Sequence, residues 1–213
     1  NYICFKNQFF GNTYFENIRE LAPGSNFTFD INNWSLNIEN DWDYYYETNL
    51  SKRLSYGLLD NPIKGEYLDK SKNLLQGINN AIKSRFKCDV PLQLALSGGI
   101  DSTIILYLIS KDKELKKKLI RAITVKFDHN SDESSKAVAI AQLLKINHFN
   151  IDFSKYNFLN FFKKCIKSQG SPLDHPHNIA YYIMSKTAKE KGKVLITGEG
   201  ADELFFGYSH YID

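Results

Sequence analysis

The chain has 213 residues, of which 43% are hydrophobic and 24% charged. That balance is ordinary for a soluble globular protein and excludes a disordered or collagen-like chain. Lysine and arginine number 27 against 24 acidic residues, a formal charge of +3, too small a bias to make nucleic acid or an anionic membrane the expected partner.

The first 46 residues read as short β-strands and tight turns. Tyr2–Phe5, Asn26–Asp30 and Ser35–Ile38 alternate apolar and polar residues, separated by Gly11-Asn12, Ala22-Pro23-Gly24-Ser25 and Asn32-Asn33. Trp42-Asp43-Tyr44-Tyr45-Tyr46 follows. It suits the rim of a domain contact, and equally a linker with surface aromatics. The texture then changes. Leu68, Leu74, Leu75, Ile78 and Ile82 form one face of a helix over Glu66–Phe86. Pro91–Leu96 is a short apolar strand ending in Ser97-Gly98-Gly99, and Ile100–Lys111 reads as helix. Ile120–Phe127 is the next strand. Asp132 caps a helix with the stripe Ala137, Ile140, Ala141 and Leu144. His148–Phe153 is a strand, Phe158–Ile166 and Asn178–Lys191 are helices, and Val194–Thr197 is a strand before a last helix start. Strands alternating with helices mean βαβ units around a parallel sheet, so the fold class is α/β with helices flanking that sheet. The expected domains are 1–46, β-rich, and 47–213, α/β.

Apolar runs such as Ile104–Ile109 fall far short of the roughly 20 residues of a membrane span. Cys4, Cys88 and Cys165 are an odd set without CxxC spacing, which argues against a disulfide framework or zinc knuckle and for a reducing cytoplasm. The Asn-x-Ser/Thr triplets at Asn26, Asn33 and Asn49 are expected to be chance matches. A chain that begins at Asn1 without a signal-peptide pattern is expected to be an internal piece of a longer protein.

In open parallel sheets, ligands sit outside the carboxyl ends of the strands. Two strands here end in glycine-rich, acid-bearing turns, and the fold would bring both to one edge. The first is Ser97-Gly98-Gly99-Ile100-Asp101-Ser102. Glycines let backbone approach a ligand, the helix start offers unpaired N–H groups, and Ser97 and Ser102 add hydroxyls; together they suit phosphate or pyrophosphate. Asp101 would repel phosphate unless a cation lies between them, and Mg²⁺ is the usual bridge. The turn is not a Walker loop. Its plain alternative is a strand-to-helix turn with Asp101 or Ser97 as N-cap. The second is Thr197-Gly198-Glu199-Gly200-Ala201-Asp202-Glu203. Three carboxylates within five positions suggest metal or proton chemistry, against the plainer reading of an acidic first helical turn. As a dinucleotide fingerprint it fails, because Glu203 stands at the third glycine position.

Leu96-Ser97-Gly98-Gly99-Ile100-Asp101-Ser102 resembles the pyrophosphatase loop (PP-loop) of the N-type ATP pyrophosphatases. Gly198-Glu199-Gly200-Ala201-Asp202-Glu203-Leu204-Phe205, with Gly207-Tyr208, resembles the second signature of glutamine-hydrolysing asparagine synthetases and the related β-lactam synthetases. Asp132-Glu133-Ser134 with the following helix and His148 is similar to the family segment after the second strand. Residues 1–46, with Arg19–Ser25 and Phe29-Asp30, resemble the last strands of that family's N-terminal glutaminase domain, and 47–213 the start of its synthetase domain.

The resemblance implies that Ser97, Gly98, Gly99 and Ser102 hold the pyrophosphate of ATP, with Leu96 and Asp101 also among the nucleotide-binding residues. It implies that Asp101 and Asp202 bind Mg²⁺. Ala95 and Val125 stand where the family packs adenine, and Thr197 and Gly198 where it also contacts the nucleotide. Glu199 matches the acid that handles protons at the acyl intermediate. The implied reaction is ATP-dependent amide synthesis. A carboxylate attacks the α-phosphorus to give an acyl-adenylate and pyrophosphate, and ammonia then displaces AMP. With aspartate as acceptor and glutamine as ammonia donor, the product is asparagine. Homo-oligomers are left open.

Phe206 replaces a glycine usual before Gly207-Tyr208. Pro172–Asn178 stands where family members carry acceptor-binding residues and does not look like the aspartate-binding version, so a sugar acid in surface-polysaccharide biosynthesis stays open as acceptor. Cys4 is not the glutaminase nucleophile, and the family's downstream lysine would lie beyond Asp213. A non-catalytic ATP-binding module is a second alternative. A tRNA-modifying enzyme with the same loop would show a strong basic face or a catalytic cysteine pair, and neither is visible. His175 and His177 are read as loop or acceptor-pocket histidines, the basic run Lys111–Lys118 as a solvated helix end or turn, and the Phe158–Phe162 aromatics as core.

Overall fold

The computed structural model describes residues 11–40, 64–127, 133–173, 175, 177–205 and 207–208. The strand expected at Tyr2–Phe5, Cys4, the 42–46 aromatics, the 46/47 boundary, the Asp132 cap, Pro176 and Phe206 lie outside that set. The chain divides into two compact units, Asn1–Lys70 and Ser71–Asp213.

In the first unit, β1 (Ser25–Asp30) pairs antiparallel with β2 (Ser35–Asn40). Phe27 faces Ile38 and Phe29 faces Leu36 across the ladder. Residues directly opposite share a face, so these four side chains form one apolar side and the intervening polar residues the other. The turn is closed by Asp30, whose carboxylate accepts the Asn32 and Asn33 backbone N–H groups at 2.8 and 3.3 Å. Those amides hold it below the usual carboxylate range, the Asn32 amide most of all.

The second unit is a four-stranded parallel sheet in the order β5-β4-β3-β6, with β3 at Leu92–Ala95, β4 at Leu119–Lys126, β5 at His148–Asp152 and β6 at Val194–Ile196. Strand β3 is buried along its whole length, as expected of a central parallel strand covered on both faces. Its alternate residues feed two separate cores. Leu92, Leu94 and Leu96 pack with Ile82, Phe86, Leu106, Ile109, Ala137 and Ala141. These come from α1 (Lys64–Arg85) and the residue after it, α2 (Ile100–Lys111) and α4 (Glu133–Leu143). Ala95, with Ile123 and Ile151, packs on the opposite face against Phe161, Cys165, Ile179, Ile183 and Met184. These belong to α5 (Phe158–Gln169) and α6 (His177–Ala188).

Three details depart from the sequence expectation. Leu74 and Leu75 are 48% and 47% exposed, so the core face of α1 is the i, i+4 series Ile78, Ile82 and Phe86. Phe158 and Leu159 are exposed, whereas Phe161 and Cys165, one turn apart, are buried. The expected aromatic core at 158–162 thus reduces to Phe161 with half-buried Phe162. The run Lys111–Lys118 contains its own short helix, α3 (Lys113–Lys118). Asp112 caps it by accepting the Glu114 and Leu115 amides at 3.0 and 3.2 Å. Two of its lysines are tied down: Lys116 Nζ donates to the Leu144 carbonyl at 3.0 Å and Lys118 Nζ to the Phe86 carbonyl at 3.1 Å.

Beneath the sheet's amino end lies a buried polar bridge. Gln93 is fully buried. Its Nε2 donates to the Ala188 carbonyl at 2.6 Å, and its Oε1 accepts from Arg121 Nε at 2.7 Å. Arg121 also donates to the Thr187 carbonyl at 3.2 Å. The bridge satisfies the last carbonyls of α6, the end where a cation is favoured.

Candidate functional site

The chain order of the sheet places the site. It begins at β3, steps outward through β4 to β5, then returns to add β6 on the other side of β3. The reversal between β3 and β6 is a topological switch point, where connections diverge and leave a crevice outside the carboxyl ends. Leu94 pairs with Ile196, so the 97–102 turn after β3 and the 197–203 turn after β6 leave the sheet side by side.

The two turns touch. A Cβ added at Gly198 would lie 3.3 Å from the Ser102 nitrogen and 3.4 Å from the Asp101 Cβ. A side chain at this position would press on the first turn, which would have to give by a few tenths of an ångström. Gly98 has φ +90°, and a Cβ there would meet the Glu133 carbonyl oxygen at the start of α4. The first loop is therefore pressed against two neighbours.

The loop is built by its own hydroxyls. Ser102, buried in the first turn of α2, accepts the Ser97 backbone N–H at 3.2 Å, and the two hydroxyl oxygens are 3.0 Å apart. The Gly99 amide donates to Ser97 Oγ at 3.1 Å. Gly99 itself occupies the N-cap position, and no side chain caps the helix. The plain alternative of Asp101 or Ser97 as N-cap is thereby set aside. Asp101, in the first helical turn, is half-buried beside Gly198.

Ala95 and Val125 face the same core side of the sheet, Ala95 buried and Val125 half-buried against the cluster. Leu96 extends β3, its amide donating to the Ile123 carbonyl at 2.8 Å. Its own carbonyl accepts from Thr124 Oγ1 at 2.6 Å, and that hydroxyl lies 2.8 Å from His148 Nε2. The single hydroxyl proton goes to Leu96, so His148 Nε2 carries the proton of the second contact. Burial pushes the His148 pKa down.

In the second turn, Thr197 and Gly198 are half-buried and Glu199 is exposed. The Tyr181 hydroxyl of α6 donates to Glu199 Oε1. Burial first, and the Glu199 carboxylate second, raise the Tyr181 phenol well above its usual range. Asp202 opens the short helix α7 (Ala201–Phe205). The chain returns over it, with the Gly207 amide donating to the Asp202 carbonyl at 3.0 Å. A Cβ at Gly207 would meet Asp202 Oδ1. Tyr208 donates to Glu203 Oε1 at 2.7 Å, which holds Glu203 below the usual carboxylate range and pushes the Tyr208 phenol up to about 12. Glu203 is thus engaged by Tyr208 and Glu199 by Tyr181.

Among the described residues, no group of three or more His, Cys, Asp or Glu gathers closely enough to form a protein-only metal cage. His175 and His177 have ring centroids 4.3 Å apart and no third ligand of that kind. Sequence reasoning missed Tyr181. Its helical stripe was legible, but its link to Glu199 spans 18 positions and depends on how α6 rolls against the sheet.

Residues 73–213 match the family model described as asparagine synthase. An asparagine synthetase (glutamine-hydrolysing) of Bacillus subtilis is 29% identical over 195 residues, covering 91% of this chain and 28% of the relative. An amidase, chyE, of Penicillium rubens is 29% identical over 170 residues, covering 68% of this chain and 25% of the relative. The chain therefore spans about a quarter of the length of these relatives. Among solved structures, the NH3-dependent NAD synthetase of Campylobacter jejuni overlaps with a TM-score of 0.45 at 19% identity, covering 65% of this chain and 60% of that one.

Proposed function

The chain belongs to the asparagine synthase family, and from that premise we propose that the intact protein is an ATP-dependent, amide-forming ligase whose nucleotide lies across the 97–102 and 197–203 turns. The observation that supports this most is the contact of Gly198 with Asp101 and Ser102, which joins two motifs about a hundred positions apart.

In this reading the Ser97–Ser102 turn receives the pyrophosphate. Its hydroxyl net sets the loop before any ligand arrives, so little reorganisation accompanies binding. Half-buried Val125 would offer apolar surface to the adenine, with Thr197 and Gly198 lining the other side, while Ala95, buried in the core, would reach it only through its backbone. Asp101 and Asp202 would hold Mg²⁺. Two carboxylates without a complete cage are what this ion uses when phosphate oxygens and water supply the remaining positions. When bound, it neutralises charge developing on the pyrophosphate. Glu199 takes the proton that the attacking ammonia must lose, because a carboxylate at the rim is within the chemistry of general bases.

The expected acceptor is aspartate and the expected ammonia source glutamine, with 1–46 as the end of a glutaminase domain. A second reading keeps the chemistry and changes the acceptor to another carboxylate, such as a sugar acid. The segment Pro172–Asn178 favours it, since it does not look like the aspartate-binding version.

The test is pyrophosphate release by the full-length protein with ATP, Mg²⁺, ammonia and a panel of carboxylic acids. Stimulation by aspartate alone supports asparagine synthesis. Stimulation by another acid alone moves the acceptor. ATP binding without turnover on any acid replaces the ligase by a binding module. Glu199→Gln should abolish most amide formation, and full retention removes Glu199 from its role.

A further inference from the structure

Helix α6 links the segment expected to face the acceptor with the turn expected to carry the base. It starts at His177, directly after that segment, and its buried residues Ile179, Ala180, Ile183 and Met184 clamp it on the sheet. A helix held by that many apolar contacts has a fixed roll. Tyr181 leaves the helix between those buried positions, half-buried against the same core. Its hydroxyl reaches Glu199 Oε1 on the turn after β6.

Resting on the amide-forming reading above, we infer that Tyr181 is the positioning residue for Glu199, its phenol holding Oε1 so that Oε2 is the oxygen presented to the reacting nitrogen. An exposed glutamate has three rotatable bonds, and ordering it costs side-chain entropy. A phenol on a clamped helix fixes its orientation in advance. Because the donor is a hydroxyl, Oε1 is held as an acceptor and the carboxylate plane is fixed by one contact. Burial and the neighbouring carboxylate keep the phenol protonated, so Tyr181 stays a donor and does not itself take the proton. It acts through Glu199, which makes it a positioning residue.

Tyr181→Phe in the full-length protein keeps the ring and removes only the hydroxyl. The kcat for amide formation should fall about 10–100-fold, with the KM for ATP changed less than about twofold and the acid-dependent exchange of pyrophosphate into ATP retained. In a Glu199→Gln background the same substitution should have almost no further effect. Unchanged kcat, or equal losses in both backgrounds, overturns the inference. If Tyr181→Phe does not fold, 3-fluorotyrosine placed at 181 decides: its ¹⁹F resonance should move when Glu199→Gln is introduced, and a resonance that stays put overturns the contact. A parent protein that releases no pyrophosphate with any acid defeats the amide-forming reading instead. That result is distinct from an active parent indifferent to Tyr181→Phe.

Discussion

Gly198 passes against Asp101 so closely that an added Cβ would stand 3.4 Å from the Asp101 Cβ and 3.3 Å from the Ser102 nitrogen. The two turns share a tight boundary, and in the proposed reading both grip one nucleotide. Gly198→Ala should therefore weaken ATP binding about tenfold, roughly 1.4 kcal/mol, by wedging the turns apart. Calorimetric titration of a well-folded variant checks it. An unaltered affinity would mean that the nucleotide does not span both turns.

Gly98 tests stability in place of binding. Its φ of +90° is strained for any side chain, and the added Cβ would meet the Glu133 carbonyl oxygen, a backbone atom that cannot swing away. Gly98→Ala should destabilise the fold by at least about 2 kcal/mol. That corresponds to a drop in melting temperature of roughly 4–8 °C for a protein of this size. A melting temperature within a degree of the parent's would contradict the placement of α4 on the loop.

Gln93 offers a second stability test at the far end of the sheet. Gln93→Leu keeps the volume but leaves the Ala188 carbonyl without its 2.6 Å donor and Arg121 Nε without its 2.7 Å acceptor. The Ala188 carbonyl still accepts the Lys191 and Gly192 amides at 3.1 and 2.9 Å, so the one orphaned group is Arg121 Nε and the expected loss is about 1–3 kcal/mol. The urea midpoint reads it directly, and Gln93→Glu should be milder because the Arg121 contact survives. If Gln93→Leu were neutral, the buried bridge would have no energetic weight.

His148 sets a pH dependence. Its folded pKa lies below the ordinary value of 6.5 because burial disfavours the charged ring. The unfolded chain then binds more protons, so this group's contribution is fully present above about 6.5 and is lost as pH falls toward the folded pKa. Urea midpoints measured from pH 7.5 downward should decline through the usual histidine range. In His148→Gln that part of the slope should vanish. A parent and variant with parallel profiles would assign the slope to other groups.

Much of the architecture was legible from period alone. Apolar runs of four to eight residues between helical stripes announced a parallel sheet, and the runs at 91–96 and 194–197 became β3 and β6 within two residues at either end. Exposure was less legible where a stripe was wider than the surface available to cover it, which is why Leu74, Leu75 and Phe158 stand in solvent. The α3 cap was hidden by charge: Asp112 within a lysine run reads as surface until its carboxylate is seen accepting two amides.

The chain's local chemistry determined which residues are candidates. Glycine tolerates a positive φ, serine hydroxyls close a loop on their own neighbours, and carboxylates at helix starts are locally favoured; each of these depends on a few consecutive residues. Tertiary structure decided the partnerships. Sheet order put β6 beside β3, so Gly198 meets Asp101, and the packing of α6 aimed Tyr181 at Glu199. Such contacts join positions far apart in the chain, and they depend on strand order and helix roll, which are set by the competition among all apolar faces for one core.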